Sequence, residues 1–180
     1  MLDKVTFIHF FAAACIVELL MITIFRYSDI RGNKWLAINN WYTNLRWTSV
    51  TLDILSVLIG FYIAKFIYEY LVSINYITKT NELLKFLGIV LLVQIIHDFS
   101  FYFLVIKNSR LGSSLVMDEF IRYSKTVGVN AVIGDSIMYL LATPLVFYLV
   151  NVRQDINIFS SIVSLYLVGY LIYVKPKIKM

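Results

Sequence analysis

Long unbroken runs of apolar residues alternate with short polar segments along this chain. A membrane helix needs about 20 mostly apolar residues, because the hydrocarbon core of a bilayer is about 30 Å thick. The runs are continuous, which favours helices over membrane strands of alternating polarity. Five runs qualify, and they cover residues 5–25, 48–72, 86–106, 130–150 and 156–174. The pattern predicts one all-α domain over residues 1–180, a polytopic transmembrane helix bundle of about five spans.

Composition agrees with a membrane protein. Apolar residues make up 60% of the chain and charged residues 15%, whereas soluble domains are nearer half apolar and a quarter charged. These figures argue against a soluble enzyme, a disordered chain and a nucleic-acid-binding domain, and they make the lipid bilayer the first expected partner. The lone cysteine, Cys15, excludes a disulfide framework and a cysteine-rich metal site.

The basic residues predict an orientation. With five spans, eleven lysine and arginine residues fall in the loops and tail on one side, and four fall on the other. Cytoplasmic loops carry the excess of lysine and arginine. We therefore expect the N-terminus outside and the C-terminus in the cytoplasm, and we read the net charge of +5 as orientation and contact with anionic lipid.

The first cytoplasmic loop contains all three tryptophans, Trp35, Trp41 and Trp47. Tryptophan favours the headgroup level of a bilayer, where its ring is buried and its N–H stays hydrated. The loop is therefore expected to lie along the cytoplasmic interface, with these residues as interfacial anchors. The alternative is a docking surface for a partner.

The third loop predicts a short interfacial amphipathic helix over residues 115–126. Ser113 or Ser114 can cap its N-terminus, and Asp118 and Arg122 are spaced as an i,i+4 pair. We expect this helix to lead directly into the fourth span.

Ionisable residues inside the spans are the most informative positions, because a charge at the centre of a bilayer costs about 2.5–3.5 kcal/mol or more. Gln94, His97 and Asp98 share one face of the third span. Other spans also bring acids to the cytoplasmic half of the bilayer. The candidate intramembrane polar cluster consists of Glu18, Asp53, Gln94, His97, Asp98, Asp135 and Ser136.

Three interpretations of this cluster stay open. Hydrogen bonds between its members can fix how the helices pack. A histidine with several carboxylates can also form a proton relay or a cation site, and His97 with an acid can serve an embedded isomerase or reductase. The sequence has no phosphate-binding glycine loop, nucleophile elbow or zinc-protease motif, so it assigns no catalytic residue, cofactor or metal ligand.

Three segments carry a resemblance. Residues 93–99 (VQIIHDF), 118–125 (DEFIRYSK) and 127–136 (VGVNAVIGDS) resemble an uncharacterised family of small multispanning membrane proteins from large DNA viruses of algae and protists. The likeness covers roughly residues 90–150.

This resemblance implies a viral membrane protein, in the internal membrane beneath the capsid or in a host membrane, and it supplies no activity. The leading expectation is a structural or scaffolding component that contacts the capsid or other membrane proteins through its cytoplasmic loops, as a monomer or a homo-oligomer. The alternatives are a proton or cation channel or transporter that uses the polar cluster, and a membrane-embedded enzyme.

Overall fold

A computed structural model describes residues 1–28 and 32–175, and within them every regular element is helical. This confirms the predicted all-α class. The basic residues Arg31, Lys177 and Lys179, used to predict orientation, lie outside the described residues. The α-helices are α1 (Phe7–Tyr27), α2 (Gly32–Leu45), α3 (Trp47–Ser73), α4 (Glu82–Phe101), α5 (Leu115–Val127), α6 (Asn130–Leu149) and α7 (Gln154–Leu171), with a 3-10 turn at Leu2–Lys4 and a π-helical turn at Tyr102–Ile106 that extends α4.

Four of the described helices are long and apolar enough to cross a membrane. They are α1, α3, α4 with its π-helical turn, and α6, and they correspond to the first four predicted spans. The fifth predicted span coincides with α7, which has 18 residues and begins with the polar pair Gln154 and Asp155. It is not among the four, so its crossing of the bilayer stays a prediction.

Helix α1 lies at the centre of the bundle and packs against α7, α6 and α3. Residues 12–15 are alanines followed by Cys15, and all are at most 1% exposed. Small side chains allow membrane helices to approach closely, since dispersion contacts replace the hydrophobic effect inside lipid. This run therefore accounts for the tight packing around α1.

Contacts at the helix termini show which ends lie together. The N-terminal end of the bundle gathers the start of α1, the end of α3 and the start of α4, because Lys65 donates to the Val5 carbonyl at 2.7 Å and the Leu2 amide donates to Glu82 at 3.1 Å. At the opposite end, Arg26 donates to the Ile172 carbonyl at 3.1 Å. The C-termini of α1 and α7 therefore lie together, and the two helices run parallel.

The opposite end is built by α2 and α5, and we call it the α2–α5 end. Most of the tryptophan-rich segment between the first two predicted spans forms the helix α2. Trp41 of α2 packs on Phe120 and Tyr123 of α5, with ring centroids 4.8 and 6.0 Å apart. Trp41 thus joins two helices, and the anchoring role expected for the three tryptophans stays a prediction.

The predicted amphipathic helix forms as α5, and Ser114 caps it by accepting from the Met117 amide at 3.1 Å. The expected Asp118–Arg122 pair does not form. Arg122 instead bonds Glu119 at 2.8 Å, while Asp118 accepts from the Gly112 amide at 2.7 Å. The carboxylate of Asp118 thus connects α5 to the turn that precedes it, and Arg122 pairs with the acid three residues before it.

Four phenylalanines fill the bundle on the N-terminal side of its middle. We call them the aromatic cluster; they are Phe10, Phe61, Phe86 and Phe147, one each from α1, α3, α4 and α6. Phe10 stacks on Phe61 at 4.8 Å, and Phe86 lies 6.1 Å from both Phe61 and Phe147. Phe10, Phe61 and Phe86 are completely buried. The cluster closes this half of the bundle.

Candidate functional site

A cavity of about 700 Å³ lies between α3, α4, α5 and α6. It falls within the ~300–1,000 Å³ range of small-ligand pockets. Most of its walls are apolar, and its polar side chains face one another across the space. These polar lining residues are Asp53, Ser56, Gln94, His97, Asp98, Tyr102, Tyr123, Ser124, Asp135 and Tyr139.

A hydrogen-bonded chain holds the carboxylate of Asp98 in place. The Gln94 amide nitrogen donates to Asp98, and its carbonyl accepts from Ser136 of α6 at 3.1 Å. Nδ1 of His97 lies 3.2 Å from the other Asp98 oxygen. The helical spacing that put Gln94, His97 and Asp98 on one face is thus realised, and Ser136 connects that face to α6.

Asp53 and Asp135 complete the acidic wall. Asp53 accepts a hydrogen bond from the indole N–H of Trp41 at 3.2 Å. Asp135 lies close enough to Asp98 and Asp53 for the three carboxylates to repel one another when ionised. No lysine or arginine of the described residues lies within salt-bridge distance of these acids. Ionised carboxylates grouped in this way are costly in a low-dielectric environment unless a cation or protons neutralise them.

Glu18 lies apart from the cavity, inside the bundle on α1. It is completely buried, and neither carboxylate oxygen has a hydrogen-bond partner among the described residues. Its neighbours are Tyr42 and Asp53. Burial, together with the negative charges of Glu18 and Asp53, raises the pKa of the Tyr42 phenol well above its ordinary value. Tyr42 therefore stays protonated and can donate a hydrogen bond.

The mouth of the cavity faces the surface that lipid would cover. Leu55 and Ile59 of α3 and Phe103 of the π-helical turn line the cavity, and they are 49%, 56% and 52% exposed. A row of exposed apolar side chains on spanning helices is the surface that a bilayer solvates. The cavity therefore opens toward this apolar surface.

Toward the N-terminal end the cavity is closed by the aromatic cluster and by a close helix contact. The hydroxyl of Tyr139 reaches across from α6 and lies 3.1 and 3.3 Å from the carbonyls of Ser56 and Val57. A Cβ at Gly60 would lie 2.0 Å from that hydroxyl, so only glycine leaves room for it. The cavity is consequently closed toward the N-terminal end of the bundle.

Most of the predicted cluster meets at this cavity. Asp53, Gln94, His97, Asp98 and Asp135 line it, Ser136 supports it, and Glu18 lies behind Asp53. Of the tryptophans, Trp41 is buried at 7% exposure and Trp47 is 42% exposed, while the ring of Trp35 packs on Phe25 at 5.0 Å.

Sequence reasoning missed the tyrosines of the site. Tyr123 and Tyr139 carry no signal that separates them from the other tyrosines among thirteen. A glycine in the middle of a long apolar helix was a usable hint, because it marks a close approach, and Gly60 has that role here.

Neither the family models nor the curated proteins nor the solved structures contain a match to this chain.

Proposed function

We propose that this chain is an integral membrane protein that takes a single-chain amphiphilic molecule from the lipid phase into the cavity between α3, α4, α5 and α6. The observation that carries the proposal is the combination of a lipid-facing mouth and a polar interior in one cavity of about 700 Å³. An apolar ligand without a polar head would gain nothing from leaving the bilayer, since lipid tails solvate it equally well.

Passage of ions across the bundle is supported less well. The cluster of acids and His97 lies on the α2–α5 side of the aromatic cluster, and a path to the N-terminal end would have to cross the buried rings of Phe10, Phe61 and Phe86. Acid–base chemistry on the bound molecule is compatible with the cavity, because His97 and Asp98 form a hydrogen-bonded pair on its wall.

The lysine and arginine bias supports an orientation with the α2–α5 end in the cytoplasm. The resemblance of residues 90–150 to viral membrane proteins is the basis for expecting residence in the membrane of a large DNA virus. Contact with a capsid and self-association rest on that resemblance and on partner contacts expected of the cytoplasmic loops. They stay predictions, as does a scaffolding role.

Trp41 provides an optical test of ligand entry. Its indole bonds Asp53, and its ring packs on Phe120 and Tyr123, which line the cavity. A variant with Trp35→Phe and Trp47→Phe is placed in nanodiscs of zwitterionic lipid, and 11,12-dibromo-octadecanol is added. Bromine quenches tryptophan at short range, so entry into the cavity should quench Trp41.

A cavity-filling substitution with a matched control makes the test specific. Val132→Phe places a ring in the cavity, whereas Ile133→Phe places one on the 54% exposed lipid-facing side of the same helix. We expect Val132→Phe to abolish the saturable quenching and Ile133→Phe to retain it. Quenching that is linear in probe concentration, or equal in both variants, would contradict the proposal.

A further inference from the structure

We infer that the head of the bound amphiphile is cationic, an amine or ammonium group held among Asp53, Asp98 and Asp135; this inference rests on the proposed function. Its basis is charge complementarity across the cavity. Three carboxylates belong to the wall, and neither lysine nor arginine is among the lining residues. His97, the only basic side chain among them, is already paired with Asp98 at 3.2 Å.

The three carboxylates differ in the hydrogen bonds that hold them, and a head with several N–H groups can bond to more than one of them. Asp98 is fixed by Gln94 and His97, and Asp53 by Trp41. The Asp135 side chain is accessible and faces the cavity. An ammonium group between Asp98 and Asp135 would supply a permanent positive charge where the described lining provides only the imidazole of His97. Charge-assisted hydrogen bonds of this type are about twice as strong as neutral ones.

Aromatic rings lie at the same end of the cavity. Phe101 and Phe120 meet edge to face at 5.1 Å, and Tyr123 lies beside them on α5. Faces of aromatic rings attract cations, most strongly where water is excluded. Such rings would also accept a methylated ammonium head, which cannot donate hydrogen bonds.

The side chains that line the cavity favour an organic cation over a metal ion as the bound group. Among residues 1–28 and 32–175 no group of three or more histidine, cysteine, aspartate or glutamate side chains is arranged to hold a metal. The apolar walls formed by Leu55, Ile59 and Phe103 lead from the acids to the lipid-facing mouth. They are suited to the alkyl chain of the ligand, whose head reaches the carboxylates.

A series of probes that differ only in their head tests this inference. Three dibrominated octadecyl compounds, the amine, the alcohol and the carboxylic acid, are added at pH 7 to nanodiscs that contain the Trp35→Phe, Trp47→Phe variant. A second variant, Trp35→Phe with Trp41→Phe, retains only Trp47. That residue contacts α7 at Gly169 and reports the concentration of each probe in the surrounding lipid.

After correction by the Trp47 signal, we expect the amine to reach half-maximal quenching of Trp41 at a concentration about tenfold lower than the alcohol, and the acid to bind most weakly. Asp135→Asn and Asp98→Asn should each reduce the preference for the amine. Glu69→Gln, which alters an acid 51% exposed at the other end of α3, should retain it.

The outcomes separate the two proposals. Saturable quenching by the alcohol or the acid at concentrations equal to or below that of the amine would overturn the cationic head and leave the cavity as a binding site. Quenching of Trp41 that never exceeds that of Trp47 for any probe would overturn the proposed function itself. Because the comparison among probes uses the unaltered acids, it does not depend on the folding of the aspartate variants.

Discussion

Replacement of Gly60 by alanine tests the packing that closes the cavity. A Cβ at this position would lie 2.0 Å from the hydroxyl of Tyr139 and 2.9 Å from its ring carbon Cζ. Tyr139 is buried at 4% exposure and cannot swing away into solvent. The ring would have to shift, and the hydroxyl would leave the carbonyls of Ser56 and Val57 that it now contacts.

The expected magnitude follows from three contributions. Overpacking of a well-packed core costs about 1–3 kcal/mol, and loss of the hydrogen bond that the single hydroxyl proton makes costs about 1 kcal/mol. Alanine is favoured over glycine inside a helix by about 1 kcal/mol, which offsets part of this. We therefore expect Gly60→Ala to lower the free energy of unfolding by about 2 kcal/mol.

The assay is reversible unfolding in mixed micelles by titration with dodecyl sulfate, followed by far-ultraviolet circular dichroism. Gly88→Ala and Gly134→Ala are matched controls, because both glycines are helical and a Cβ would meet nothing within 4 Å. They should be neutral or slightly stabilising. In a Tyr139→Phe background the cost of Gly60→Ala should fall, since the closest atom is then absent. A Gly60→Ala variant as stable as the wild type would refute the reasoning.

Three further predictions use the same structure. Asn157→Ala should destabilise the bundle by about 1–2 kcal/mol in the same unfolding assay, because the buried Asn157 amide donates to the Leu149 carbonyl at 3.1 Å. Asn151→Ala, at an exposed site, should be close to neutral, and equal effects of the two substitutions would contradict a stabilising role for the Asn157 hydrogen bond. The free energy of unfolding should fall as the pH rises above about 10, because burial raises the pKa values of Tyr42 and Tyr123. Above that pH the unfolded chain releases phenolic protons that the folded chain retains. A loss of stability above pH 10 that is unchanged in the Tyr42→Phe, Tyr123→Phe variant would contradict this. Liposomes that contain the purified protein should show no proton or potassium flux above that of empty liposomes in dye-based assays, and a flux that His97→Ala abolishes would contradict the closed aromatic cluster.

Four of the five predicted spans coincide with long apolar helices, because each of these helices is encoded locally. Residues 130–150 were predicted for the fourth span and Asn130–Leu149 is observed, since a continuous apolar run has few alternatives to a membrane helix. The i, i+3, i+4 spacing likewise placed Gln94, His97 and Asp98 on one wall.

Properties that depend on tertiary partners could not be predicted. The segment around Trp41 was expected only to lie along the cytoplasmic interface, because its sequence gives no sign of a partner helix. The structure shows that Trp41 of α2 packs on Phe120 and Tyr123 of α5. Arg122 bonds Glu119 rather than Asp118, and Asp118 accepts from the Gly112 amide in the preceding turn, a contact that helical spacing does not reveal. The cavity itself is lined by residues of α3, α4, α5 and α6, and no single segment encodes how these helices come together.

Photochemical mapping tests the central claim most directly. An octadecanol that carries a diazirine in its chain is incorporated into nanodiscs with the protein and irradiated, and the labelled residues are identified by mass spectrometry. We predict saturable labelling of cavity residues such as Val93, Val132 and Met138, which Val132→Phe abolishes while labels on exposed lipid-facing residues persist. Labels confined to exposed positions such as Phe66 and Leu104, 72% and 73% exposed, with none in the cavity at any probe concentration, would contradict the account.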